Sequence, residues 1–274
     1  MSATELDREF EALTEKITRE RGFGCASYKD KCLRRRIAVR MRARAVHSYA
    51  AYAAVLDTDS REYDLLLDAL TINVSKFFRN WETFQAIETH VVPHLWNSDD
   101  GEARVWSAGC AAGEEAYSLA VLFHRHAAGR DAPDRAPRVA VLGTDIDRAS
   151  LEAAERAQYS EMAFADTPAE LRDRYFSPGF PSDVDEEVRS LVRFERHDLL
   201  SSPPPQWDND LIVCRNVIIY FDRDTQERLF EVFFHALRPG GFLVLGKVET
   251  LLGASRARFS TVDSRQRIFR RPVS

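Results

Sequence analysis

Apolar residues recur at three- and four-residue spacing through Glu5–Glu20, Tyr28–Ala45, Ser48–Leu56 and Arg61–Ile72. That period predicts helices. Gly22 and Gly24 stop the first one. Residues 1–72 therefore read as a small helical bundle. A further helix, ETFQAIETHVVPHLW, closes near Pro93. From Arg104 the pattern changes. Short apolar runs (ARVWSAGC, RVAVLGTDI, LVRFERHDLL, DLIVCRN, FLVLGKV) interleave with helical stretches (GEEAYSLAVLFHRHA, DRASLEAAERAQY, DTQERLFEVFFHAL). This order predicts a doubly wound, mostly parallel α/β sheet with right-handed crossovers. RFSTVDSRQRIFRRP reads as two strands around Asp263-Ser264, an antiparallel hairpin at the sheet edge. Residues 159–190 break the alternation with a short helix and a Pro/Gly-rich stretch, and read as an insertion.

Composition narrows the class. The chain has 274 residues, 45% hydrophobic and 30% charged, enough apolar mass for one large or two ordinary domains. No apolar run approaches the ~18 residues of a membrane helix. The opening MSATELDREFEAL has neither a basic start nor an apolar stretch, so no secretory signal is expected. Cys25, Cys32, Cys110 and Cys214 form no C-x-x-C pair, and no metal-ligand pair is read among the seven histidines. Reduced thiols in a cytoplasm and no metal are expected. The net charge of −5 argues mildly against a nucleic-acid coat, but Lys29–Arg44 (KDKCLRRRIAVRMRAR) is strongly basic with a single Asp.

In an open α/β sheet, ligands bind beyond the carboxyl ends of the strands. The first such end reads SAGCAAGEEAYS, with Gly109 and Gly113 in the turn. It is not the dinucleotide G-x-G-x-x-G. A plain tight turn is the alternative reading. The second end, GTDID, offers Asp145 to a ribose diol, while Asp147 caps the next helix. Both acids could instead be caps. The third end offers Asp198 to an adenine amino group, and the fourth, CRNVIIYFD, puts Asn216, Val217 and Tyr220 at the rim. Four polar strand ends suited to a nucleoside, without a phosphate clamp, point to S-adenosylmethionine. Its ammonium calls for a carboxylate, and Glu114 and Glu115 follow the glycine turn. Acids in a first helical turn are also stabilised by the helix dipole alone. Neither the Pro-Pro-aromatic motif of amino methylation nor the Pro-Cys nucleophile of cytosine methylation is present.

The segments RVWSAGCAAGEEAYSLA, GTDIDRASLEAAERAQY, DLIVCRNVIIYFD, LRPGGFLVLGKVET and LTINVSKFFRN together resemble the chemotaxis receptor methyltransferases of the CheR type. The resemblance spans about residues 10–270 in the family's order. It implies an N-terminal all-helical domain (1–72), an FFR segment and linker helix (73–97), and a class I S-adenosylmethionine methyltransferase domain (98–274) with a small antiparallel β subdomain inserted at about 159–190. It implies cofactor contacts from Asn73, Ser75, Arg79, Gly109, Glu115, Asp145, Asp198, Leu199, Asn216 and Val217. Phe77 and Phe78 are expected to pack between domains, at least one of them, and Asn80 to cap the following helix.

The implied reaction is methyl transfer to a receptor glutamate, giving a methyl ester and S-adenosylhomocysteine. A glutamate with a pKa near ~4.3 is already ionised, so no general base is needed. Arg79 is expected to orient either the substrate carboxylate or the cofactor's own, and Tyr220 to lie near the methyl group. Arg34, Arg35, Arg36, Arg40, Arg42 and Arg44 are expected to dock the acidic, cytoplasmic helical region of a methyl-accepting receptor, a solvated face being the plainer alternative. The enzyme would then be cytoplasmic and recruited to receptor arrays, with no nucleic-acid partner and no membrane insertion. The stretch Ser177–Arg193 is several residues shorter than in members that bind a receptor's C-terminal pentapeptide, so pentapeptide independence is expected. NWETF at Asn80–Phe84, the pentapeptide itself, is read as coincidence. The rivals are a nucleic-acid methyltransferase using the basic helix on phosphates, and a non-enzymatic adaptor.

Overall fold

A computed structural model describes residues 3–71, 75–96, 102–129 and 139–273. The chain divides into two compact units, Met1–Asn73 with Tyr220–Thr225, and Val74–Ile219 with Gln226–Ser274.

The first unit holds α1 (Ala3–Arg21), α2 (Asp30–Ala43), α3 (Tyr49–Thr58) and α4 (Ser60–Leu70). Their apolar stripes converge on a core of Phe10, Leu13, Ile17, Leu33, Ile37, Tyr52 and Leu66. Ser48 and Asp59 cap α3 and α4, accepting from the backbone N–H groups of Ala51 and Glu62. Four of the six candidate docking arginines on and just after α2 have partners within this unit. Arg34 donates to Asp7 at 2.8 Å and lies over the Phe10 ring. Arg36 donates to the carbonyls of Ala69 and Leu70. Arg40 makes a two-pronged contact with buried Glu62, which also accepts from Tyr52. Arg44 pairs with Asp59 at 3.1 Å. These four are fastened inside the helical unit by acids and carbonyls distant in sequence, while Lys31, Arg35 and Arg42 stand exposed.

The second unit opens with α5 (Trp81–His90) and α6 (Val92–Trp96). Pro93 sits at the second position of α6 rather than ending a single long helix, because a first turn does not use its missing N–H. Then follow β1 (Ala103–Ala108), α7 (Glu114–Ala128), β2 (Val139–Asp145), α8 (Arg148–Arg156), β3 (Gln158–Tyr159), α9 (Ala169–Tyr175), β4 (Ser182–Asp183), α10 (Glu186–Arg189), β5 (Val192–Arg196), β6 (Asn209–Cys214), α11 (Arg223–Ala236), β7 (Leu237–Leu245), α12 (Ser255–Arg258), β8 (Ser260–Asp263) and β9 (Ile268–Arg270). Among the described residues the main sheet runs β5-β2-β1-β6-β7-β9-β8. The pairs from β5 through β7 are parallel. β9 pairs antiparallel with both β7 and β8, which makes the expected hairpin. The order reverses between β1 and β6, a topological switch point.

The insertion contains the two-stranded antiparallel sheet β3-β4. β7 begins at Leu237 and runs through Arg238-Pro239-Gly240-Gly241, upstream of the FLVLGKV run. Pro239 is accommodated there because the β6–β7 register shifts between Asn209 and Leu211, an irregularity of the kind where a missing strand donor is tolerated.

Phe77 and Phe78 correct a sequence expectation. They are fully buried, but inside the second unit. Phe77 stacks on Phe164 and meets Tyr159 and Phe176 edge-on, so it clamps the inserted segment. Phe78 packs edge-on against Trp81 and Phe84.

Candidate active site

At the switch point the β1 and β6 ends converge. Gly109 has φ +80°, and a side-chain carbon there would fall 2.5 Å from Cγ2 of Val217. Only glycine permits this approach. The N–H groups of Gly109 and Cys110 both donate to the Thr144 carbonyl, lacing the β1 loop to the end of β2. Asp145 closes β2 and is partly buried. Its Oδ2 accepts from the Ala111 N–H at 2.9 Å and its Oδ1 from the Asp147 N–H at 3.0 Å. Burial pushes its carboxyl above the ordinary value, against the pull of those backbone bonds. Each oxygen keeps lone-pair capacity for a hydroxyl. Asp147 caps α8 as expected, accepting from Ala149 and Ser150.

Asp198 lies beyond β5. Its Oδ1 accepts from the Leu200 N–H at 2.9 Å and its Oδ2 from the Ser201 hydroxyl at 2.7 Å, so its carboxylate shapes the turn that carries Leu199. Asn216 follows β6 with φ +63°.

The acids that open α7 take different partners. Glu115 accepts from the Ser107 hydroxyl at 2.9 Å and lies 3.4 Å from Arg215. Glu114 has one carboxylate oxygen buried with no hydrogen-bond partner. Burial raises its carboxyl to about 7, although Ser75 donates to it. The pairing with Ser75 joins the FFR segment to the glycine turn. Asn73 lies outside the described residues.

The rest of that segment is a tight, strained turn. Phe78 and Asn80 have φ +52° and +60°, a cost that tertiary contacts must offset. The Phe77 N–H donates to the Ala163 carbonyl at 2.8 Å, and the Phe78 N–H to the Ser118 hydroxyl at 3.0 Å. Arg215 donates to the Arg79 carbonyl at 2.8 Å and to the Asn80 side-chain oxygen at 3.1 Å. Asn80 therefore stands at the start of α5 without capping it, because its side chain is taken by Arg215. Burial lowers the Arg215 guanidinium; Glu115 opposes this, and neighbouring Arg79 adds to it.

Sequence reasoning missed Arg215. Its only local signal is a charge placed directly after the all-buried run Asn209–Cys214. It also missed Glu249, whose carboxylate is buried beside Asn216. Tyr220 belongs to the helical unit, where its carbonyl accepts from the Lys29 N–H and Arg36 lies over its ring. Cys110 and Cys214 are fully buried, and desolvation pushes both thiols well up. Neither is poised as a nucleophile. No group of three metal-ligating side chains occurs among the described residues.

A diol acceptor at β2, a backbone opened by Gly109 at β1, and a buried, partnerless carboxylate oxygen on α7 fit a nucleoside bearing an ammonium group. Comparison with known proteins agrees. Residues 73–268 match the family model described as "CheR methyltransferase, SAM binding domain", and residues 8–71 match "CheR methyltransferase, all-alpha domain". A "Chemotaxis protein methyltransferase" of Listeria innocua is 31% identical over 261 residues, covering 95% of this chain and 97% of that one. "Chemotaxis protein methyltransferase 2" of Pseudomonas aeruginosa is 32% identical, covering 90% and 88%. An "Uncharacterized 104.1 kDa protein in hypE 3'region" of Rhodobacter capsulatus is 36% identical over 88% of this chain, which spans only 25% of that much longer protein. The chain belongs to the CheR methyltransferase family, and is an S-adenosylmethionine-dependent protein methyltransferase.

Proposed function

We propose that this enzyme methylates glutamate side chains of chemotaxis receptors. The observation that carries the reading is Arg79, held on a turn that Arg215 and Ser118 fasten beside the cofactor-type strand ends. A guanidinium there favours an anionic acceptor over an amine. The substrate carboxylate attacks the methyl carbon in line with the departing sulfur. A C–O bond forms, the S–C bond breaks, and S-adenosylhomocysteine leaves neutral at sulfur. The nucleophile is already ionised, so the protein's work is alignment. Asp145 would hold the ribose hydroxyls and Asp198 and Leu199 the adenine. Gly109, Asn216 and Val217 would form the walls. Glu115, with the open oxygen of Glu114 beside it, would supply negative charge for the ammonium. Ser75 and Arg79 would face the amino-acid end and the acceptor.

The test incubates the enzyme with methyl-labelled S-adenosylmethionine, receptor-bearing membranes and a nucleic-acid pool. Base-labile label on the receptor is expected. Label in nucleic acid, or base-stable label on protein, would sink the reading. Receptor lacking its last five residues should be methylated as well as the intact receptor, and a collapse of rate there would overturn independence from the pentapeptide.

Docking is proposed to use Lys31, Arg35 and Arg42, the cations that α2 leaves exposed. Reversing charge at Arg35 and Arg42 is expected to raise the KM for receptor about five- to tenfold at low salt, converging on wild type as salt screens the contact. The affinity for S-adenosylhomocysteine should not change. An unchanged KM at low salt would return α2 to a solvated face.

A further inference from the structure

β7 ends at Leu245, and the chain turns through Gly246-Lys247-Val248 to Glu249. Glu249 is only 4% exposed, yet its carboxylate is held by amides rather than by a directly bonded cation. Its Oε2 accepts from the N–H of Asn216 at 3.0 Å and of Gly246 at 2.6 Å. Its Oε1 accepts from the N–H of Ile219 at 3.2 Å, and the Ile218 amide adds to the set. Three of these four donors belong to the loop that leaves β6. That loop carries Asn216, with its left-handed backbone, and Val217, which closes on Gly109. In a loop this tight the successive N–H groups face inward and form a concave nest for an anion. Glu249 fills the nest from within the protein. Gly246 is part of the device, since a side-chain carbon there would fall 2.6 Å from Oε2 of Glu249 and 3.0 Å from the Asn216 nitrogen.

We propose that Glu249 is a positioning residue of the cofactor site. Its carboxylate gathers the amides of residues 216–219 and so sets where Asn216 and Val217 stand at the switch point. The proposal rests on the S-adenosylmethionine site and not on the receptor reading, so the two can fail separately.

Glu249→Gln tests it. The side chain keeps its size but presents an NH2 where one carboxylate oxygen accepted, so donors face donors. In the protein without cofactor, hydrogen exchange at the amides of Asn216, Ile218, Ile219 and Gly246 is expected to accelerate about tenfold or more, while the strands keep their protection. Calorimetry should show S-adenosylhomocysteine binding weakened by about tenfold or more, as for a displaced site wall. In a double-mutant cycle with Val217→Ala the two losses should be strongly non-additive, because both act on one wall. Additive losses, faster exchange throughout the sheet, or unchanged affinity in a folded variant would each overturn the assignment. If Glu249→Gln does not fold, Gly246→Ala keeps the carboxylate but crowds it, and the same exchange and affinity readings apply.

Discussion

Arg215→Met is expected to destabilise the second unit by about 3–5 kcal/mol at neutral pH, as when one partner of a buried ion pair is removed. The Arg215 side chain is 2% exposed and that of Glu115 11%. Without the guanidinium, the Glu115 carboxylate keeps only the Ser107 hydroxyl in a desolvated site. Burial already raises the Glu115 carboxyl, with Arg215 opposing that rise. In the variant only the Ser107 hydroxyl opposes it. A carboxyl whose folded-state pKa lies above its unfolded value disfavours folding while ionised. That cost shrinks as pH falls through the raised folded value and protonation neutralises the group. Urea unfolding should therefore show a larger deficit at pH 8 than at pH 5. Adding Glu115→Gln to Arg215→Met should recover much of the loss, because the uncompensated charge is gone. A deficit below about 1 kcal/mol, or one independent of pH, would mean that the pair carries little stability. The same substitution releases the Arg79 carbonyl and the Asn80 side chain, so cofactor affinity should fall even where the variant is folded.

The Arg215 contacts also mark how far the sequence could be read. The alternation of strands and helices was legible because a strand buried on both faces shows as a continuous apolar run, as Leu211–Cys214 does, whatever packs on it. The Asp147 cap was legible for a similar reason: donor and acceptor lie within three residues. Arg215 meets Glu115, Arg79 and Asn80 across separations of 100 residues or more, and no local period encodes such a meeting. The partners of the basic helix were illegible for the same reason. Its count of charges was right, but the acids that quench it, Asp7, Glu62 and Asp59, come from α1, α4 and the α4 cap. Phe77 and Phe78 were legible as buried. Which unit they joined depended on Phe164 and Phe176, inside an insertion whose packing has no periodic signature. Resemblance to the family proposes Ser75 and Arg79 as site residues but does not point to Glu249, whose proposed role rests on the amides it gathers.

Asp145→Ala is expected to weaken S-adenosylhomocysteine binding by about ten- to several-hundredfold, from the loss of two charged hydrogen bonds at roughly 1.5–3 kcal/mol each, not strictly additive. The proposed site gives the carboxylate two tasks. It fixes the β1 loop through the Ala111 N–H, and it keeps lone pairs for a ribose diol. Asp145→Asn separates them. The amide retains one oxygen for a backbone donor, but its NH2 cannot accept from a hydroxyl, so binding should fall nearly as far while the fold is spared. A pH titration gives a further reading. Burial holds the Asp145 carboxyl above its ordinary value, and a bound diol, donating to the ionised form, would pull it down. Binding should then release protons once the pH drops below the raised free-protein value. Affinity in the wild type should decline with acidification from that point, and affinity in Asp145→Asn should not. Calorimetry in buffers of different ionisation enthalpy measures both quantities. If a folded Asp145→Ala variant binds with wild-type affinity and wild-type pH dependence, Asp145 only ties the end of β2 to the β1 loop, and the ribose is held elsewhere.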